Sequence, residues 1–377
     1  MAGAAFFCYV GNVAGRKRDL VCSETAVVRV RFNICMVGCV LAAQAGCQRE
    51  AEPRFTLSER TQELPEPLQK QISDILERYS GTPSDPRLIG NAKISVERLL
   101  HGAAVYQRRC ESCHGTSGDA RGPAAKFLDP RPRDYRRGIF KFTSTPYGAK
   151  PRREDLERTL RNGIVGTSMP SFELLPNDDL QAVIDYVLVL THRGELEEQL
   201  VVEAETEDQI DPQLVPELVE LVLERWEQAT SDVVTPVTPQ PPITKDTIAS
   251  GREAFLNEQQ GCFKCHGPNG RGGSVGGVEV GADVWGFKTA AADLTSGMLH
   301  GGQRPLDVYR RIYAGISGTP MPAFDNVYAD QPDTIWHLVH YVFYVANKRR
   351  EGDFFVTEQS QGEGGPSGET PQATGGD

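Results

Sequence analysis

Methionine is scarce in this chain, with five among 377 residues, one of them Met1. Cysteine is scarce away from three places. Five of the nine (Cys8, Cys22, Cys35, Cys39 and Cys47) fall near the N-terminus, and the other four occupy two short runs. None is left in the body to form structural disulfides. No basic cluster interleaved with aromatics points to nucleic acid. No strand-like alternation of apolar and polar residues stands out, so the body is expected to be mostly α.

The charge is unevenly spread. The net charge is −11, with charged residues at 24% and apolar ones at 39%, ordinary for a soluble protein. Residues 92–194 hold 17 Lys/Arg against 12 Asp/Glu, residues 195–245 hold 2 against 13, and residues 246–352 are near neutral. Such bias suits either a solvated surface or an electrostatic face for docking a partner.

The N-terminal region reads as an export signal. Arg29 and Arg31 precede an apolar run, Phe32–Ala45, of 14 residues, which ends in Ala43-Gln44-Ala45. Basic, apolar, then small is the order of a secretory signal peptide. The run is shorter than the roughly 17–25 residues of a spanning helix. Ala45-Gly46-Cys47 also reads as a lipoprotein signal with Cys47 lipidated, although Gln44 replaces the usual Leu-like residue. Residues 1–28 carry no motif, and a start near Val27, Val28 or Val30 would account for them.

Two stretches carry the chemistry: Cys110-Glu111-Ser112-Cys113-His114 and Cys262-Phe263-Lys264-Cys265-His266. C-x-x-C-H is the attachment signature of c-type haem, with two thiols for the porphyrin edge and an adjacent imidazole for the iron. The alternatives are zinc and a redox dithiol. A zinc ribbon spaces its C-x-x-C pairs by roughly 15–20 residues, whereas these lie 152 apart. No βαβ pattern surrounds either run, as a thioredoxin-like motif would require.

The same offset of 152 aligns much more. Gly115 and Gly118 fall on Gly267 and Gly270, and Arg158 falls on Arg310. Gly163, Ile164, Gly166, Thr167, Met169, Pro170 and Phe172 fall on Gly315, Ile316, Gly318, Thr319, Met321, Pro322 and Phe324. The chain therefore contains an internal repeat. In each copy a helix precedes the first Cys (Val96–Arg109 and Thr247–Gln259) and carries Gly, then an aromatic: Gly102/Tyr106 and Gly251/Phe255. A Gly-rich loop follows the His. A further helix comes next (Arg152–Arg161 and Pro305–Ala314), then a loop carrying the Met. An amphipathic helix closes each copy, through Leu180, Val183, Ile184, Val187 and Leu188 or through Ile335, Leu338, Val339 and Val342.

Met169 and Met321 each lie 55 residues after the motif His. A lone Met is most simply core filling. A matched pair in Gly-rich, Met-Pro settings reads as the second axial ligand instead, opposite His114 and His266. The flanking glycines allow close approach to a flat ring.

The two copies resemble class I c-type cytochromes, in the tandem two-haem arrangement also found in cytochrome subunits of bacterial respiratory complexes. The resemblance covers about 92–194 and 246–350. It rests on C-x-x-C-H, the Met-Pro, and the Gly/aromatic helix together with a terminal helix bearing Tyr186 or Tyr341. It implies an all-α fold of two tandem cytochrome c-like domains, each wrapping one covalently bound haem c, with terminal helices that cross. Gly102 should then pack near Tyr186, and Gly251 near Tyr341. In that family a Pro carbonyl often accepts a hydrogen bond from the proximal His. The resemblance gives this role to Pro123 and none to Gly-Arg-Gly-Gly-Ser-Val of the second copy.

The expected organisation is an export region at 1–47, a lead segment at 48–91 with a helix at Glu66–Tyr79, and a first domain at 92–194. An acidic and Pro-rich linker at 195–245 with a helix at Val215–Ala229, a second domain at 246–352, and a disordered tail at 353–377 complete it. His101, His192, His300, His337 and His340 do not repeat and read as surface or structural. Arg131, Arg133, Arg136, Arg137 and Lys141 read as solvated charge, or as partners for propionates or an acidic protein.

Cofactor-binding residues are thus expected at Cys110, Cys113, His114, Met169, Cys262, Cys265, His266 and Met321. Iron would be held by His114 and Met169, and by His266 and Met321. Two closed irons point to an electron carrier rather than an enzyme. Its partners would be redox proteins: a quinol-oxidising complex, a small cytochrome or cupredoxin, or a terminal oxidase or reductase. The location would be periplasmic, or at the outer face of the cytoplasmic membrane through an N-terminal anchor or lipid. A dihaem peroxidase with one displaceable ligand is the alternative.

Overall fold

The structure is a computed structural model, and it describes residues 54–272 and 279–351. The export signal, Cys47 and the tail from 353 lie outside the described residues. What is described is mostly helical. Among the described residues no helix is long and apolar enough to cross a membrane.

The lead segment forms α1 (Glu59–Gln62) and α2 (Glu66–Ser80). Ser58 caps α1 by accepting from Thr61 N, and Pro65 leads into α2, where Ile72 and Leu76 are fully buried. A two-stranded antiparallel hairpin follows, β1 (Gly81–Thr82) with β2 (Asp85–Pro86).

α3 (Val96–Arg109) starts at the Ser95 cap and runs to the first motif, whose turn is α4 (Glu111–His114). After a long loop come α5 (Arg153–Asn162) and α6 (Asn177–Glu207). α3 and α6 cross with Tyr106 and Tyr186 tilted against each other, their centroids 5.4 Å apart. Val105, Val183, Val187 and Leu190 complete this core. Arg98 on α3 and Arg153 on α5 both pair with the buried Asp185 of α6, at 3.0 and 2.6 Å.

The second half repeats this layout. α8 (Lys245–Phe255), preceded by α7 (Val215–Ser231) and an extended stretch, leads to α9 (Phe263–His266), then β3 (Glu279–Ala282) and β4 (Lys288–Ala290). α10 (Pro305–Tyr313) and α11 (Asp333–Glu351) follow. α8 and α11 cross with Phe255 on Tyr341, centroids 5.1 Å apart. The interplanar angles of the two aromatic pairs are 58° and 57°, so the crossing is reproduced in detail. The helix before Cys262 is shorter than the sequence suggests. It ends at Phe255, and the stretch from there to Cys262, three residues longer than that from Tyr106 to Cys110, forms a turn whose Gly261 N donates to Asn257 O.

The segment from 195, expected as linker, is different. α6 does not stop at Gly194 but continues to Glu207, and Leu196, Leu200, Val201 and Ala204 are buried against α2 and α7. Its acidic residues are also engaged. Glu195 pairs with Lys150 and accepts from Trp226 Nε1 at 2.6 Å. Glu197 accepts from Ser58 N and Thr61 Oγ1, both at 2.6 Å. The Pro-rich stretch carries no helix or strand and bonds to both halves. Val234 N donates to Ser144 O at 2.8 Å, and Val234 O accepts from Arg310 Nε at 3.1 Å. Thr238 O accepts from Trp336 Nε1 at 2.9 Å.

Candidate functional site

Both pentapeptides fold as one helical turn. His114 N donates to Cys110 O and His266 N to Cys262 O, each at 2.9 Å, and Gly115 and Gly267 end the turns at positive φ. Cys110 packs on the first core, and Cys262 and Met321 pack on the second.

Each imidazole is fixed by a backbone carbonyl. His114 Nδ1 lies 3.0 Å from Arg133 O, and His266 Nδ1 lies 3.0 Å from Ala292 O. With Nδ1–H donated to a carbonyl, Nε2 keeps its lone pair, the arrangement metal-bound histidines use. This corrects the expectation from Pro123, whose loop folds back instead: Ala124 N donates to Ser112 O at 2.9 Å. It also supplies a partner for His266. The carbonyls lie 19 and 26 residues beyond their His, yet they arrive in the same frame. Two residues later Tyr135 N donates to Gly118 O and Leu294 N to Gly270 O, both at 2.8 Å. The second carbonyl comes seven residues later in its loop, beyond the β3–β4 hairpin, and the rest of that loop is shorter by the same number, so the two loops are equally long.

The two Met loops are also alike. Ile164 N donates to Met169 O at 3.0 Å, and Ile316 N to Met321 O at 3.2 Å. Met169 N donates to Thr167 Oγ1 at 3.1 Å, and Met321 N to Thr319 Oγ1 at 3.3 Å. Each Thr hydroxyl donates to an Ile carbonyl at 2.8 Å. Gly163 and Gly315 open these loops at φ +64° and +68°, with the Met carbonyl close behind them. A side chain would be strained there. Both Met side chains are half-buried.

Burial sets the electrostatics. It pushes the His114 imidazole down to about 4, against the opposing pull of its bond to Arg133 O, and it lowers that of His266. It pushes the Cys110 thiol up to about 12 and the Cys262 thiol up to about 11. At neutral pH both histidines are therefore neutral, fit to offer Nε2 to a metal, and these two cysteines are thiols. Among the described residues no group of three or more His, Cys, Asp and Glu converges as a zinc site would need.

Tyr135 was not anticipated. Its buried ring stacks on His114 at 4.6 Å between centroids. Nor was the fate of the basic cluster. Arg136 pairs with Asp134 at 2.8 Å, Arg137 donates to Val284 O, and Lys141 lies 3.8 Å from Asp283. Arg133 lies over the indole of Trp285, 3.6 Å from its centroid, and Arg131 faces Phe287. Four of the five residues therefore meet the β3–β4 hairpin. The sequence carried no signal of it, because the offset of 152 holds on both sides of the two loops. Of the other histidines, His101 bonds Asp179 at 2.7 Å, His192 is buried against Trp226, and His340 is buried against Thr247.

The frame of helix, C-x-x-C-H turn, carbonyl-held imidazole and Met loop is on known ground. Residues 97–187 match the family described as cytochrome C oxidase, cbb3-type, subunit III. This match supports a c-type cytochrome domain at those residues, with haem c as its group and electron transport as its chemistry. No curated protein matches. Among solved structures, the chain is similar to one from the Kuenenia stuttgartiensis reducing HAO-like protein complex Kustc0457/Kustc0458. The identity is 28% and the TM-score 0.51, over 65% of this chain and 95% of that one.

Proposed function

We propose that this protein is a dihaem c-type cytochrome that moves single electrons between redox proteins. Haem c would be held by thioether bonds from Cys110 and Cys113 at one site, and from Cys262 and Cys265 at the other. His114 with Met169, and His266 with Met321, would be the axial ligands. The haem supplies a one-electron iron couple.

The observation that carries the reading is the matched treatment of His114 and His266. Each has Nδ1 on a carbonyl and Nε2 left for iron, in two frames that share the Met loop and the terminal-helix crossing. The similarity to the solved structure extends over more of the chain than either repeated segment alone, which supports two sites. Soft, neutral Met sulfur favours the reduced iron and raises the potential relative to His/His ligation. The carbonyl bonds orient each imidazole, and Tyr135 packs the first one in place. The organisation proposed is tandem domains at 92–194 and 246–352. An export signal and a periplasmic site accompany it, since haem is attached outside the cytoplasmic membrane.

A second reading comes from the similar solved structure, which is of a reducing HAO-like protein complex: the chain would serve such a complex as a redox subunit. A peroxidase-like enzyme is the less supported alternative, because both copies carry the same Met loop.

Production in a host with the covalent haem-attachment machinery tests the proposal. We expect two haems per chain retained on a denaturing gel, a weak long-wavelength iron–thioether band from both, and poor binding of cyanide and CO. A colourless chain would overturn the reading, and rapid peroxide binding at one haem would turn it towards an enzyme.

A further inference from the structure

The β3–β4 hairpin belongs to the second repeated segment only, yet it is clamped to the first. Its tip is pre-formed: Asp283 Oδ1 accepts from Trp285 N at 3.1 Å and from Phe287 N at 3.0 Å. Arg137 donates to Val284 O and Lys141 pairs with Asp283. The indole of Trp285 then stands between two residues that matter to different sites. On one side is the guanidinium of Arg133, 3.6 Å from the ring centroid. On the other is Gly318, so near that a Cβ there would come within 2.7 Å of the ring. Val284 N donates to Gly318 O at 3.1 Å, fixing that contact. Gly318 sits in the loop of Met321, three residues before it.

Arg133 is used at both ends. Its carbonyl takes His114 Nδ1 at 3.0 Å, and its side chain is held by Trp285. Its neighbour Asp134 turns to Arg136. A planar cation seated on an indole face, largely out of water, is strongly placed. A carbonyl that accepts from a ligating imidazole sets the orientation and basicity of that ring.

We propose that Trp285 is a positioning residue for the first site, acting through Arg133, so that the Met321 loop and the His114 imidazole are mechanically joined. The inference rests on the two-haem reading given above. A displacement of the Met321 loop on a change at the second site would move Trp285, then Arg133, then the imidazole at the first. The two irons would thus share a lever in addition to their field.

The test uses the full-length haem-loaded chain with Trp285→Ala and Trp285→Phe. The readouts are potentiometric titration and low-temperature EPR. The first haem is assigned by the signal that changes in Met169→His. Trp285→Ala should shift the EPR g-values and the midpoint of the first haem, with helical content unchanged. Trp285→Phe, which retains a ring face for Arg133, should restore most of the shift. A first-haem signal and midpoint unchanged in Trp285→Ala would overturn the inference while leaving the two-haem reading intact. A wild-type chain without two covalent haems would overturn that reading and this inference with it.

Discussion

Gly102 faces the carbonyl of Ala182 so closely that a Cβ at Gly102 would stand 2.1 Å from that oxygen. Gly251 has the same relation to His337 O, at 2.0 Å. The two helix crossings are thus set by the absence of one atom. The obstacle is backbone, which cannot swing aside. Gly102→Ala and Gly251→Ala should each destabilise the protein by about 2 kcal/mol or more. Chemical denaturation of each variant checks this, and a loss below about 0.5 kcal/mol would show that the crossing yields.

Replacing a proposed distal sulfur by imidazole should leave the site closed and change its potential. Met169→His and Met321→His should each remove one of the two iron–thioether bands. Each should also lower one of the two midpoints, since His/His ligation favours Fe(III) relative to His/Met. Optical potentiometry reads both effects, and an unchanged pair of midpoints would show that the sulfur does not ligate.

His192 supplies an acid-sensitive element outside either motif. Burial pushes its imidazole down to about 4 from an ordinary 6.5, helped by the Lys150 charge and opposed by the Ile89 carbonyl. Between these values the unfolded chain takes up a proton that the folded chain refuses. Stability therefore falls as pH drops from 6.5 to 4, by up to about 3 kcal/mol at roughly 1.4 kcal/mol per pH unit. His192→Phe should not show this component. Burial raises the Glu195 carboxyl, which acts in the opposite sense. It does so in both proteins, so the difference between their stability–pH curves isolates His192.

The Lys150–Glu195 pair is almost wholly buried, with side-chain exposures of 10% and 6%. Lys150→Met would leave the Glu195 carboxylate with Trp226 alone and should cost about 3 kcal/mol or more. Lys150→Met combined with Glu195→Gln should recover a large part of the loss. A double variant no more stable than the single one would mean that the charges were not the issue.

Much of this was legible in the residues. The Gly/aromatic pattern of the helix before each motif picked out Gly102 and Gly251, and the structure sets them against Tyr186 and Tyr341, whose Cβ atoms a Cβ at either Gly would approach to 3.0 Å. The helix expected at Val96–Arg109 is the one observed, with Ser95 as its cap. The partner of His114 was not legible, because the acceptor is a main-chain carbonyl and any residue can supply one. Glu195 and Glu197 belong to a run that reads as solvated acid. Their partners Lys150, Ser58 and Thr61 lie far away in sequence, so local composition could not reveal their burial. The basic residues from Arg131 to Lys141 read as solvated charge for the same reason, since what they meet is the β3–β4 hairpin of the other repeat, far away in sequence.

α6 is common to two cores. Tyr186 and Leu190 serve the one behind the first motif, and Leu196 and Leu200 serve the one formed with α2 and α7. Such a helix acts as a keyed shaft. One residue inserted near Gly194 would advance everything beyond it by 1.5 Å and rotate it by about 100°, turning Leu196 and Leu200 out of their seats. The two cores are therefore phased by residue count along a single rod, and neither can slip without the other.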